Sequence, residues 1–579
     1  MCFYNGIIDL EYYSCGIFKL NIKQLVILAL LLPLQAHSND DLRSNPEKFI
    51  GKDRITSSAV AKNFMVVTSD PSATIAAYDV LMNNGTAADA AIAAQLVLGL
   101  TEPQSSGLGG GAFALYYHAK TKSLTSLDGR EVAPILAHGD YFLKDNGEPM
   151  KFFEAVLDGR SIGVPGTPAL LGVLHDMYGS MSLSKLIAPA YDLASNGFKP
   201  SEGLSLALES DIGKLDKDKT SKKYFYKKGP LVNKEYASTL KLFATYGYQI
   251  FYKNPISTNI IIAANKNNGI LSQRDFDNYQ VVIRNPICDY FKKYKVCSMG
   301  EPSSGALTML QILKIIDSNP SWHNYIEASK LAFADRNYFM ADPDYISSPG
   351  TNLLNQKYIL ERRSILDDNK ILKNINHGSP SGWDNTAKHR NIGYEENGTT
   401  HISIIDKFGN AISMTSTIEN AFGSRIMTNG YLLNNELTDF SFLPKKNGKY
   451  IANRVEGGKR PRSSMTPTIV FSPDNDLPVL IIGSAGGSRI IGHVTQRIID
   501  IFHHKKTLKE SIESLHILNR GMITEAEGTN TIVDKLTKKG HMVNITNISS
   551  GLNGIHIDHS KDEIIGVSDP RRIGISMGQ

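Results

Sequence analysis

Alternating apolar and polar positions mark two strands late in the chain. Thr399 opens TTHISIID, and Asn410 opens NAISMTSTI, a run rich in β-branched residues. Between Asp406 and Asn410 lie Lys407, Phe408 and Gly409, a three-residue loop whose last position suits glycine in the left-handed conformation. This loop pairs Asp406 with Asn410. Followed back along both strands, it sets Thr399 directly opposite Thr417. Side chains paired in this way share a face, with Cβ atoms roughly 4.5–5.5 Å apart. Just ahead of Thr399, Glu395, Glu396, Asn397 and Gly398 form a polar, turn-like run.

Elsewhere the apolar period lengthens to that of helices. Asp70-Pro71 opens an alanine-rich helix, with Asp70 as N-cap and Pro71 at the first helical position, and Asn84-Gly85 stops it. A second helix follows from Thr86 or Ala87 to about Leu98. The apolar interior of the pair predicts that both are largely buried. Gly107 to Gly111 (GLGGG) lacks a following Gly-Lys-Ser/Thr, and Ala112 to Tyr116 reads as strand, so close backbone packing accounts for these glycines better than a nucleotide. Helical patterns recur over residues 160–245 and 303–340. Residues 345–398 are rich in Asn, Asp, Lys, Gly and Ser, which predicts an exposed segment able to enter a self-cleavage site and then move away. Strands and helices alternate again after Thr399, notably around 489–518, and no internal repeat is evident. The mixture predicts an α+β fold, with layers of helix against antiparallel sheet.

Composition narrows the classes. The 579 residues, 41% hydrophobic, can bury a large core. A net charge of +5 is small for this length, and acidic residues interrupt the lysines between Lys214 and Lys228, so nucleic acid is not an expected partner. Leu25 to Leu34 is almost wholly aliphatic, follows Lys19 and Lys23, and precedes Gln35, Ala36, His37 and Ser38. It is shorter than the ~20 residues of a spanning helix and reads as a secretory signal cleaved near Ala36 or Ser38. Asp9 and Glu11 are atypical ahead of a signal, which leaves a downstream start or a retained anchor as alternatives. The expected location is periplasmic or secreted. In an oxidising compartment Cys288 and Cys297, facing each other across the DYFKKYKV hairpin, form either a cross-strand disulfide or two unlinked strand cysteines. No HExxH pattern or zinc-type cysteine spacing occurs, and no metal or organic cofactor is expected.

The chemistry centres on Thr399. If the Gly398–Thr399 bond were cut, Thr399 would carry a free α-amine beside its own hydroxyl. Such an amine titrates near pH ~7.7–8.0 and can act as general base to the hydroxyl. Several ordered stretches give this possibility weight: TEPQSSGLGGGAF (101–113), DGREVAP (128–134), TTHISIID (399–406), TSTIENAFGS (415–424), LLNNELTDFS (432–441), KRPRSSMTPTIV (459–470) and GSAGGSRII (483–491). In these the chain resembles the γ-glutamyltranspeptidases (glutathione hydrolases) of the N-terminal-nucleophile hydrolases, from about Lys52 to the C-terminus.

The resemblance implies a four-layer αββα sandwich and a zymogen that cleaves itself. Its segments would be a leader with signal peptide (1–38), a large subunit (39–398) and a small catalytic subunit (399–579), the two subunits interwoven as one globular heterodimer. It implies that Thr399 is the nucleophile and its amine the base, that Thr417 orients it, and that Gly486 and Gly487 form the oxyanion hole. Arg130, Ser463 and Ser464 would bind the α-carboxylate of a γ-glutamyl group, and Glu419, Glu436 and Asp439 its α-ammonium. The γ-glutamyl group of glutathione or a related amide would pass to water, amino acids or peptides. This chain departs from relatives at Ala485, where many have proline, and at Arg462, where leucine is common. Tyr450, in the loop 441–459, is a candidate lid residue, and the role of His401 stays open. Two rival readings remain: a β-lactam side-chain acylase acting on glutaryl amides, and an exported ligand-binding or structural protein that never matures.

Overall fold

The protein is described by a computed structural model covering residues 56–381, 383 and 398–579. The leader and its signal sequence lie outside the described residues, as do 382 and 384–397. Two seven-stranded antiparallel sheets form the centre. Their strands, numbered in chain order, are β1 Ser58–Ala61, β2 Met65–Thr68, β3 Gly111–His118, β4 Ser123–Gly129, β5 Val282–Arg284, β6 Ile287–Phe291, β7 Tyr294–Ser298, β8 Thr399–Ile405, β9 Ala411–Thr417, β10 Thr468–Phe471, β11 Pro478–Gly483, β12 Asn553–Asp558, β13 Glu563–Ser568 and β14 Ile575–Gly578. One sheet runs β1-β13-β12-β11-β10-β7-β6 and the other β14-β2-β8-β9-β3-β4-β5.

Strand alternation divides the core into layers. On the second sheet Val66, Ala112, Ala114, Tyr116, Ile402, Ile404 and Met414 face one way and pack with helices α1 (Pro71–Met82), α2 (Ala87–Thr101), α3 (Thr167–Tyr178), α4 (Leu183–Asn196) and α5 (Lys234–Tyr246). Met65, Val67, Phe113, Leu115 and Tyr117 face the first sheet. Beyond that sheet lie α6 (Gly305–Ile316), α7 (Trp322–Phe339), α8 (Gln356–Ser364) and α9 (Arg489–Phe502). The result is helix, sheet, sheet, helix, as expected of the αββα sandwich. Among the described residues no helix is long and apolar enough to cross a membrane.

Local chemistry explains the elements that position β8. Asp70 caps α1 by accepting from the N–H of Ser72 at 2.9 Å, with Pro71 as first helical residue. Thr86 and Asp89 form a capping box at the start of α2, which runs three residues beyond the expected end to Thr101 and is buried throughout. The β8–β9 turn itself caps this helix: Asp406 accepts from the N–H of Ala87 at 2.8 Å and from its own loop at Phe408 and Asn410. The hairpin register is the expected one, with Thr399 opposite Thr417 and Ile405 opposite Ala411, and Gly409 takes φ +82°. The GLGGG run serves packing. A Cβ at Gly109 would lie 2.0 Å from the Leu432 carbonyl oxygen, and one at Gly110 2.0 Å from that of Thr417.

Cys288 and Cys297 are joined by a disulfide across β6 and β7. The expectation of an exposed run from 345 onward holds only in part. Helix α8 buries Tyr358 and Ile359, and Arg362 pairs with buried Asp335 at 3.1 Å. A polar composition conceals a docked helix that buries Tyr358, Ile359 and Arg362.

Candidate active site

Thr399 and Thr417 meet where β8 and β9 begin and end. The Thr399 hydroxyl donates to Thr417 Oγ1 at 3.3 Å, and both residues are 3% exposed. Thr417 in turn donates to the carbonyl oxygen of Gly398 at 2.7 Å and accepts from the N–H of Glu419 at 2.9 Å. A second donor, the N–H of Ile418, reaches the same Gly398 carbonyl at 3.2 Å. The carbonyl ahead of Thr399 is thus polarised by two donors on the side of the candidate nucleophile. Gly398 has no room for a side chain, since a Cβ would sit 2.4 Å from the Glu419 carbonyl oxygen.

Glu419 has φ +75°, a left-handed conformation that costs a non-glycine residue of order 1–3 kcal/mol. Its carboxylate accepts from the side-chain amide of Asn435, which helps fix the turn. Asn435 precedes a short 3-10 turn, Glu436–Asp439, that carries the other two acids. Arg130 follows the end of β4 and is 1% exposed. Its guanidinium donates to Glu436, to Asp439 at 2.5 Å, and to the carbonyls of Pro461 at 3.2 Å and Arg462 at 3.0 Å. Burial alone would lower its pKa, but the carboxylates of Glu436 and Asp439 hold the charge and raise it.

Arg130, Thr399, Thr417, Glu419, Glu436, Asp439, Ser463, Ser464 and Gly487 line one cavity, with Met465 and Ile490 completing its wall. Of the catalytic and substrate-binding residues expected at the site, Gly486 alone is not in that lining. It adjoins Gly487 in the turn between β11 and α9, where the two have φ +124° and +55°. Both conformations favour glycine, and the N–H groups of Arg489 and Ile490 at the helix start that follows donate to the carbonyls of Gly486 and Gly487, each at 3.1 Å. The remaining space is about 20 Å³, roughly the room of one water molecule.

Other expected positions fall outside the cavity. His401 sits between the sheets, its Nδ1 at 2.8 Å from Thr415 Oγ1 and its Nε2 at 3.0 Å from Ser403 Oγ. Because Ser403 donates to the Asn553 carbonyl, the histidine must donate through Nε2, and burial lowers its pKa to about 3. It is a neutral hydrogen-bonding strut. Tyr450 does not line the cavity either. It is 48% exposed, between Lys445 Nζ at 4.4 Å and the Arg454 guanidinium at 4.7 Å, on a small hairpin turned by Asn447-Gly448. Among the described residues one group of metal-type side chains converges, His323, Glu327 and His541. There the two imidazoles hydrogen-bond each other at 2.8 Å and Lys330 Nζ lies 2.7 Å from Glu327, so the cluster reads as a polar network joining the segments on either side of Gly398–Thr399.

Comparison with known proteins bears on what this cavity serves. The family model described as "Gamma-glutamyltranspeptidase" matches residues 73–579. This chain belongs to the γ-glutamyltranspeptidase family. It is 35% identical over 547 residues to a glutathione hydrolase proenzyme of Bacillus subtilis (strain 168), covering 90% of this chain and 92% of that one. A glutathione hydrolase proenzyme of Escherichia coli (strain K12) is 34% identical over 544 residues, covering 89% and 91%. The fold is also that of a cephalosporin acylase from Bacillus halodurans, with a TM-score of 0.80 at 24% identity over 93% of this chain and 99% of that one.

One further acid adjoins the site, and nothing in the sequence sets it apart from a surface carboxylate. Glu131, next to Arg130, is fully buried, and neither of its oxygens meets a donor of another residue. Its carboxyl faces that of Glu436, and burial followed by the Glu436 charge pushes its pKa well above the ordinary 4.5. One proton between the two converts repulsion into a hydrogen bond. A raised acid costs stability as pH climbs from its ordinary value toward its folded value. Glu131→Gln keeps a donor to Glu436 and has no charge to lose. Its Tm is therefore expected to fall less than that of wild type between about pH 5 and about pH 8, as read by calorimetry. Equal slopes for the two proteins would show that Glu131 is ionised in the fold.

Proposed function

We propose that the chain cuts its own Gly398–Thr399 bond and then acts as a γ-glutamyltransferase and glutathione hydrolase through a Thr399 acyl-enzyme. The observation that carries this is Thr399 held beside a doubly polarised Gly398 carbonyl, in a cavity with one buried arginine and three acids. In the first stage the Thr399 oxygen attacks the Gly398 carbonyl carbon. Charge developing on the carbonyl oxygen is met by the Thr417 hydroxyl and the Ile418 N–H, the C–N bond breaks as the hydroxyl proton passes to the leaving nitrogen, and water hydrolyses the resulting ester to the Gly398 carboxylate and the Thr399 hydroxyl. The products remain associated as a large and a small subunit.

In the second stage the freed α-amine takes the proton from the Thr399 hydroxyl, and the oxygen attacks the γ-carbonyl. The N–H groups of Gly486 and Gly487 receive the oxyanion. The amine product leaves, and water, an amino acid or a peptide resolves the acyl-enzyme. The α-amino-acid head of the donor is a zwitterion, and it can exchange into the existing ion pairs. Its carboxylate goes to Arg130 and the serines, its ammonium to Glu419, Glu436 and Asp439. Ligand charges thereby replace internal ones without leaving a buried charge unpaired. Export to an oxidising compartment accords with the Cys288–Cys297 bridge.

A glutaryl amide lacks the ammonium and would leave the acids without a cation. Sites that reject a substrate for a missing polar group do so by about 10⁴-fold. A preference of that order for γ-glutamyl-p-nitroanilide over glutaryl-p-nitroanilide is expected. Preference for the glutaryl compound would assign the protein to the acylases instead.

A further inference from the structure

Arg336 lies near the end of α7, in the large-subunit portion, and is 3% exposed. Its Nε donates to Ser304 Oγ at 2.8 Å and its Nη2 to Ser464 Oγ at 2.6 Å. A guanidinium has five N–H donors and no acceptor, so each serine oxygen must receive from it and turn its own hydrogen elsewhere. For Ser304 the outcome is visible. Its hydroxyl donates to the Ser463 carbonyl at 2.7 Å, beside its N–H at 2.8 Å, and so fixes the backbone of the serine pair. Ser464 lines the cavity, and its hydroxyl hydrogen has to serve an acceptor other than Arg336. The arginine thus sets both the position and the polarity of the pair.

We propose that Arg336 is a positioning residue for donor recognition, orienting the Ser464 hydroxyl so that it donates to the α-carboxylate of the γ-glutamyl group. This rests on the γ-glutamyl reading above and adds a second arginine to it, one that acts through a serine while Arg130 forks directly. The charge on Arg336 also polarises Ser464, which makes its hydroxyl a better donor to an anion. Arg462, whose Nη1 donates to the Arg336 carbonyl at 3.3 Å, braces the end of the same helix.

Arg336→Lys keeps a cation but cannot fork to two serines. The mature variant is expected to raise KM for γ-glutamyl-p-nitroanilide by about 10- to 100-fold with a smaller change in kcat, the worth of one hydrogen bond to a charged group. On 4-aminobutanoyl-p-nitroanilide, the same donor without its α-carboxylate, variant and wild type should agree within about threefold. A merely structural loss would lower both substrates together and overturn the proposal. In a Ser464→Ala background Arg336→Lys should add less than about twofold, whereas independent, additive losses would also overturn it. Should Arg336→Lys fail to mature, Ser304→Ala frees one arm of the guanidinium and should show the same substrate dependence at smaller amplitude; an equal loss on both donors counts against the proposal. If wild type itself shows no preference for the donor with an α-carboxylate, the γ-glutamyl reading fails. If that preference exists and survives Arg336→Lys, this proposal alone fails.

Discussion

Thr399→Ala is expected to purify as one uncut chain with no measurable γ-glutamyl hydrolysis or transfer. The substitution removes the oxygen that both attacks the Gly398 carbonyl and would later carry the acyl group. Thr417 cannot take over, because its hydroxyl is committed to the Gly398 carbonyl at 2.7 Å and its oxygen accepts from the N–H of Glu419. Loss of an acting nucleophile in comparable hydrolases costs on the order of 10⁶ in kcat, which places residual turnover below detection. The fold should survive, since the side chain contributes one 3.3 Å hydrogen bond and the hairpin register is set by the Asp406 loop. Thr399→Ser, which retains the hydroxyl, should still yield two chains. Denaturing electrophoresis with intact mass of the small chain, together with p-nitroaniline release, reads all of this. An alanine variant that still splits at Gly398–Thr399 would require a different attacking group.

The hairpin could be read from the chain because its determinants are local. A three-residue loop ending in glycine fixes the pairing, and pairing fixes which threonine faces Thr399. The convergence of Arg130 with Glu436, Asp439 and Ser464 is another matter. Arg130 lies 306 positions before Glu436, and in the sequence only likeness to known motifs links it to the other three. Glu131 is not legible in the sequence because a buried acid there looks like any surface charge; its raised pKa depends on burial and on facing Glu436, which only the fold creates. Arg336 sits inside a helix with no motif to mark it, and its two serine contacts come from distant segments. Helix α8 is hidden in a polar run because its docked side is only Tyr358, Ile359 and Arg362, too few apolar positions to set up a period. The Asn447-Gly448 pair is a local hairpin signal, and Lys445–Lys446 and Lys449–Tyr450 pair across it.

Arg130→Ala should have the second-largest effect, and it should act on stability as well as on binding. In the folded protein Arg130 is the buried cation of the cluster: Nη1 pairs with Glu436 and Nη2 with Asp439 at 2.5 Å, while Nε donates to the Pro461 carbonyl and Nη2 also to that of Arg462. Removing one partner of a buried ionic group strands the other charges, at a cost of about 3–5 kcal/mol. The stranded acids would respond by binding protons. Glu436, already raised by burial against the pull of Arg130, would rise further. A raised carboxyl leaves stability intact below its ordinary value and erodes it as pH climbs, so the variant's Tm deficit should be smallest near pH ~4–5 and widen toward pH ~8. Arg130→Lys should recover part of the stability, because a charge returns, but little of the binding. An ammonium cannot present two parallel donors to a carboxylate while keeping Glu436 and Asp439 in place. Melting curves across this pH range and KM for γ-glutamyl-p-nitroanilide separate the two effects. A lysine variant with wild-type KM would mean that the donor's carboxylate is held by the serines without the guanidinium fork, and that Arg130 serves only to gather the acids that receive the ammonium.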